Sequence, residues 1–274
     1  MPFHIADPQI DQPGGKTMTR SLPVLTIVLS VVAGPALAAE PKSFQDCRDC
    51  PRMVVIPAGS VAIGDPHDYE DMEVDAPPRP QISIPRPFAI GMYEVTQAEW
   101  NAVMDDNPSD VKGVTLPVSK VTWRKVQDYL QKLNAKTGKK YRLPSENEWD
   151  YAARAGSAAS YTFGEDESHL PKYGWYDANS GGVTQPVGKL KPNAFGLYDM
   201  HGNVWEWTND CYSSNYGKSL TQEFEAERQS FCYRVIRGGS VLNFAKYTTS
   251  YHRASLTPVN FNANLGFRVA LSLD

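Results

Sequence analysis

The chain has 274 residues, and its 27 Lys and Arg against 31 Asp and Glu leave a net charge of −4, so it lacks the basic surplus that a nucleic-acid partner requires. A mean hydropathy of −0.43 with 21% charged residues excludes a multi-span membrane protein, while 41% hydrophobic residues suffice for a filled core. Its 20 Gly and 21 Pro are scattered rather than periodic, which implies many turns and excludes a collagen-like chain.

At the amino end, Arg20 precedes an apolar run from Leu22 to Ala33, and the small-residue triplet Ala36-Leu37-Ala38 follows Gly34 and Pro35. That order is the pattern of a secretory signal peptide, with cleavage expected after Ala38. The run falls short of the roughly 18 to 20 apolar residues a membrane-spanning helix needs. Met18, directly before Thr19 and Arg20, offers an alternative start. Residues 1–38 are therefore read as a signal region, and the mature chain is expected to be periplasmic or secreted and not membrane-spanning. The 236 residues that follow suit one large domain.

Residues 39–51 form a short segment holding Cys47 and Cys50 as C-x-x-C. In an exported chain cysteines are read first as disulfides, and the simplest pattern is two local pairs, Cys47 with Cys50 and Cys211 with Cys232. The longer loop would gain about 3 kcal/mol from closure. A redox dithiol or half a zinc site is the alternative for the C-x-x-C, but no second C-x-x-C follows. Short strands are predicted at Met53–Ile56, Gln81–Ile84, Arg234–Ile236 and Phe267–Leu271. The acidic run Asp65–Asp75 reads as a solvated loop. Capping boxes at Thr96–Glu99 and Ser145–Glu148 each open a helix of moderate length. Between them Val126, Tyr129, Leu130 and Leu133 mark the core face of a helix from Thr122 to Lys136, stopped by Gly138. Trp100, Trp123 and Trp149 read as core or rim packing, with a sugar platform as the alternative. The histidines His67, His169, His201 and His252 show no i, i+4 spacing, so no zinc or iron site follows from spacing.

Seven strings occur in order: MVVIPAGSVAIGD from Met53, FAIGMYEVTQAEW from Phe88, PVSKVTW from Pro117, YRLPSENEWDYAARAG from Tyr141, FGLYDMHGNVWEW from Phe195, RVIRGGS from Arg234 and NLGFRVA from Asn264. Together they resemble the formylglycine-generating enzyme, or sulfatase-modifying-factor, family over residues 52–272. The resemblance implies an α+β, C-type-lectin-like single domain with short strands, a few helices and much irregular structure. Family members include oxidases that convert a sulfatase cysteine to formylglycine, catalytic domains of sulfoxide synthases, and periplasmic proteins of siderophore maturation.

The resemblance also locates a site. In the oxidases two cysteines between the G-G-S and G-F-R strings bind copper, whereas this chain has no cysteine after Cys232. Asn243 and Thr248 fall nearest those positions, and neither an amide nor a hydroxyl replaces a thiolate toward Cu(I), so copper is not expected. Tyr247, Tyr251, His252 and Arg253 complete the residues expected at the cleft. Iron is unsupported, since the sulfoxide synthases draw their ligands from an added helical domain. The family's calcium loop maps onto the Asp199 side chain, the Gly202 and Val204 carbonyls and the Glu206 carboxylate, oxygen ligands suited to a hard divalent ion. A second calcium site near Asn179 and Ser180 lacks its acid. Two functions follow as expectations: an envelope binding or accessory protein for a peptide, glycan or protein ligand, or a cysteine-independent oxidase or tailoring enzyme acting on a peptide or siderophore.

Overall fold

The strands are short, two to seven residues each. The computed structural model describes residues 41–67, 79–213 and 232–273, so the expected signal region with Met18 and most of the acidic loop lie outside the described residues. Five strands form an antiparallel sheet: β1 (Ser43–Phe44), β2 (Met53–Ile56), β5 (Phe88–Gly91), β11 (Ala270–Ser272) and β6 (Tyr141–Arg142), in that spatial order. The C-x-x-C segment thus contributes the edge strand β1. A second sheet holds β10 (Leu265–Gly266), β7 (Trp205–Cys211), β8 (Arg234–Arg237) and β9 (Arg253–Leu256), with β10 parallel to β7 and the other pairs antiparallel. β3 (Gly59–Ala62) and β4 (Gln81–Ile84) make a separate pair.

The single strand expected over Phe267–Leu271 divides in two. β10 ends at Gly266 and β11 starts at Ala270, and the intervening Phe267, Arg268 and Val269 are fully buried as the chain passes from one sheet to the other. Its backbone stays paired in passing: Val95 donates to the Phe267 carbonyl (2.9 Å) and Gly91 to that of Val269 (2.8 Å).

Both capping boxes form as read. Thr96 opens α1 (Gln97–Asn101), five residues rather than a helix of moderate length, and Ser145 opens α3 (Glu146–Arg154). Thr122 caps α2 (Trp123–Thr137), which stops where Gly138 adopts φ 68°. The α2 face carrying Val126, Tyr129, Leu130 and Leu133 is buried as expected. Trp100 stacks on Tyr129 at 5.3 Å, and Phe267 meets both edge-on at 6.2 and 5.4 Å. Trp100 and Trp149 are completely buried and so present no face to a sugar, while Trp123 donates to the Thr208 carbonyl (3.0 Å) under the Arg234 guanidinium. A short α4 (Asp177–Ser180), unforeseen in the sequence, commits Asn179 to the Tyr176 N–H and Ser180 to the Val241 carbonyl.

Candidate functional site

The loop from Tyr198 to Val204, leading into β7, is bent by three left-handed residues: Asp199 (φ 58°), Gly202 (φ 112°) and Asn203 (φ 58°). At Gly202 a β-carbon would lie 2.0 Å from the Trp175 carbonyl oxygen, so only glycine fits. The bend turns Asn203 toward Glu94: its Nδ2 donates to Glu94 Oε2 (2.6 Å), and the Val204 N–H donates to Oε1 (2.9 Å). Asp199 accepts from the Gly188 N–H through Oδ2 (2.7 Å), and its Oδ1 is buried with no hydrogen-bond partner. Glu206, one residue into β7, takes Arg268 in a bidentate pair (2.7 Å closest) and accepts from Trp149 Nε1 (2.7 Å).

Glu94, Asp199, Glu206 and Arg268 are all buried, which sets three carboxylates against one guanidinium. Burial pushes the Asp199 carboxyl up to about 6, with Glu206 adding to the rise, and it drives Glu94 well above the ordinary carboxylate value, with Asp199 and Glu206 behind it. Such an excess of buried negative charge is relieved by protons or by a cation. The orphaned carboxylate oxygen on Asp199 is an acceptor suited to a hard divalent ion, while the Glu206 carboxylate, expected to share that ion, is taken by Arg268 and Trp149. Among the described residues no three His, Cys, Asp or Glu side chains form a metal-holding group by themselves. Glu94 and Arg268 escaped the sequence reading. Their signal was a lone charge in each of two otherwise apolar strings, M-Y-E-V and G-F-R-V.

The segment 240–253 carries the other expected residues. Asn243 Oδ1 accepts from Ser240 Oγ (2.6 Å), whose oxygen accepts from Asn264 Nδ2 (2.6 Å). Thr248 is buried and donates its hydroxyl to the Ala245 carbonyl (2.8 Å). His201, also buried, accepts from the Thr162 N–H at Nε2 (3.2 Å), which fixes its proton on Nδ1 facing the Thr248 carbonyl (2.8 Å). Desolvation pushes this imidazole down to about 4. Arg237 on β8 anchors the next residues, donating to the carbonyls of Ser250 (2.9 Å), Tyr251 (2.9 Å) and His252 (2.6 Å) while paired with Asp150 (2.5 Å).

The half-buried His252 ring meets Tyr247 edge-on at 5.0 Å and lies 5.8 Å from Trp205. Desolvation, and then Arg237, lower its basicity. Burial and the Asp65 carboxylate raise the Tyr251 phenol. The Arg253 guanidinium is taken by Glu146 in a bidentate pair (2.6 and 2.7 Å). Tyr247 and His252 are thus brought together against Trp205, which is buried in the main core, while Asn243 and Thr248 are held by their own loop. His67 pairs with Glu165 (3.0 Å), and His169 lies 3.9 Å from Asp166. All four cysteines are in disulfides, Cys47–Cys50 and Cys211–Cys232.

The sulfatase-modifying factor enzyme 1-like domain family matches residues 39–273. Among curated proteins, the chaperone protein LppX of Paenibacillus barcinonensis is 30% identical, the match covering 65% of this chain and 75% of that protein. The formylglycine-generating enzyme of Streptomyces coelicolor is 34% identical over 61% of this chain and 56% of the enzyme, so the chain spans little more than half that relative's length. Among solved structures, PvdO from Pseudomonas aeruginosa aligns with a TM-score of 0.72 at 35% identity, covering 86% of this chain and 100% of that one. Treponema denticola variable protein 1 aligns at 0.71 with 28% identity, over 85% and 99%.

Proposed function

The chain belongs to the sulfatase-modifying factor enzyme 1-like domain family, and within it we propose an exported binding or accessory protein of the cell envelope. The reading rests chiefly on one observation: all four cysteines are paired, and Asn243 and Thr248 are hydrogen-bonded to Ser240 and Ala245, so no free thiolate serves a Cu(I) ion. The likeness to a protein named a chaperone supports an accessory role. In this reading the half-buried Tyr247 and His252 rings receive a peptide, glycan or protein segment, since aromatic faces bind such ligands with little loss of conformational entropy. Calcium held by Asp199 and the Gly202 and Val204 carbonyls, with Glu206 and Glu94 balancing its charge, orders the loop beneath. The orphaned Asp199 oxygen supports this ion.

The test is metal analysis of the protein purified from the periplasm with its disulfides intact, paired with an oxygen-uptake assay in the presence of a reductant. Calcium near one per chain with no oxygen uptake is the expected result. Copper or iron at that ratio, with uptake abolished by its removal, overturns the reading in favour of a tailoring oxidase acting on a peptide or siderophore.

A further inference from the structure

The C-x-x-C turn takes no part in the site above, and a cross-link over so short a loop restrains the unfolded chain by only about 2 kcal/mol, less than the longer bridge does. Its local effect is geometric. The Cys50 N–H donates to the Cys47 carbonyl (3.1 Å), and Gln45 Nε2 donates to the carbonyls of Cys50 (2.7 Å) and Arg48 (3.1 Å), so the turn is braced as well as bridged. It forms one wall of a cleft of about 430 Å³ that Arg48, Arg52, Lys189, Asp49, Glu99 and Tyr93 also line. That volume lies within the range of roughly 300 to 1,000 Å³ common for small-molecule sites.

Among the described residues no carboxylate pairs with Arg48, Arg52 or Lys189. Glu99 turns Oε2 to the Thr96 N–H (2.8 Å) and hydroxyl (2.9 Å), which leaves Oε1 without a partner at the cleft. Tyr93 is fixed by the backbone of Gly188, where a β-carbon would approach its ring to 2.5 Å. The cleft therefore gathers three basic and two acidic side chains, of which Arg48, Asp49, Arg52 and Lys189 are exposed to solvent.

We propose that this cleft binds a small zwitterion of net negative charge, the chemistry of a free acidic amino acid. Its carboxylates meet Arg48, Arg52 and Lys189, and its ammonium meets Glu99 and Asp49. The burial that raises the Glu99 carboxyl above its ordinary value is offset by a bound ammonium. The Cys47–Cys50 bridge holds Arg48 and Arg52 in the wall, which assigns the turn a purpose that chain entropy does not.

Isothermal titration calorimetry of the full chain with L-glutamate and L-aspartate tests this, with glutarate as the probe that lacks the ammonium. Saturable one-site binding of at least one amino acid is expected, weaker by about tenfold or more for glutarate, for Arg52→Gln, and for Glu99→Gln, whose amide keeps the capping bonds to Thr96. The double variant Cys47→Ser/Cys50→Ser is expected to bind more weakly while keeping its circular dichroism spectrum. No binding by the folded wild-type chain at about 10 mM amino acid overturns the proposal, because a weaker affinity leaves less than about 3 kcal/mol for the charge contacts invoked here. Equal affinity for glutarate, or affinity unmoved in both Arg52→Gln and Glu99→Gln, overturns it as well.

Discussion

His201 is the residue whose chemistry the fold changes most legibly. Its pKa is near 4 folded, against 6.5 in an exposed chain, so it contributes stability above pH 6.5 that is lost as pH falls toward 4, where the unfolded chain takes up the proton first. The span corresponds to a loss on the order of 3 kcal/mol. Asp199 and Glu94 act in the opposite direction, since their raised values let the folded chain bind protons first. The difference between wild type and His201→Gln isolates the imidazole. In calcium-free buffer, Tm of the variant is expected to fall less between pH 7 and pH 4.5 than that of the wild type; parallel profiles would refute the assignment. At the proposed calcium loop, Asp199→Asn keeps the acceptor for Gly188 but lowers the charge. It is expected to reduce the gain in Tm on adding calcium, while chelation lowers the wild-type Tm.

At the scale of the element, α2 buries the Tyr129 hydroxyl with no hydrogen-bond partner. Tyr129→Phe removes an unsatisfied polar atom and keeps the stack on Trp100, so urea unfolding is expected to show a neutral or stabilising change of up to about 1 kcal/mol. The loop before β7 is the opposite case. Gly202→Ala places a methyl against the Trp175 carbonyl at positive φ, and denaturant unfolding is expected to show a loss of about 3 kcal/mol or more, with wild-type-like stability counting against the strained bend. Capping chemistry made α1, α2 and α3 readable because Thr96, Thr122 and Ser145 satisfy amides only a few residues away.

Over the whole molecule, a chain of buried charges joins distant segments. Arg154 on α3 donates to the Gly64 carbonyl (3.0 Å) and pairs with Asp150 (2.5 Å), which pairs with Arg237 on β8, which in turn holds the carbonyls of residues 250–252. Removing one member strands the others in the interior. Arg237→Met is therefore expected to cost about 3 to 5 kcal/mol by denaturant titration and to loosen the Tyr251–His252 segment, read as faster amide hydrogen exchange there. A loss below about 1 kcal/mol would show that the network is dispensable.

Local chemistry in the sequence determined the helix starts, the buried face of α2, the disulfide pairs and, through seven ordered strings, the family. Each of these depends on residues close in the chain, or on a pattern that survives without its surroundings. Tertiary structure alone decided the rest. It drew Glu94 to the loop before β7 across more than a hundred residues of chain and Arg268 to Glu206 across 62, paired Arg253 with Glu146, and split the last strand between two sheets. The physical reason is desolvation: a buried charge must find its counter-charge or donor wherever the fold supplies one, and sequence spacing does not record which distant segment that is.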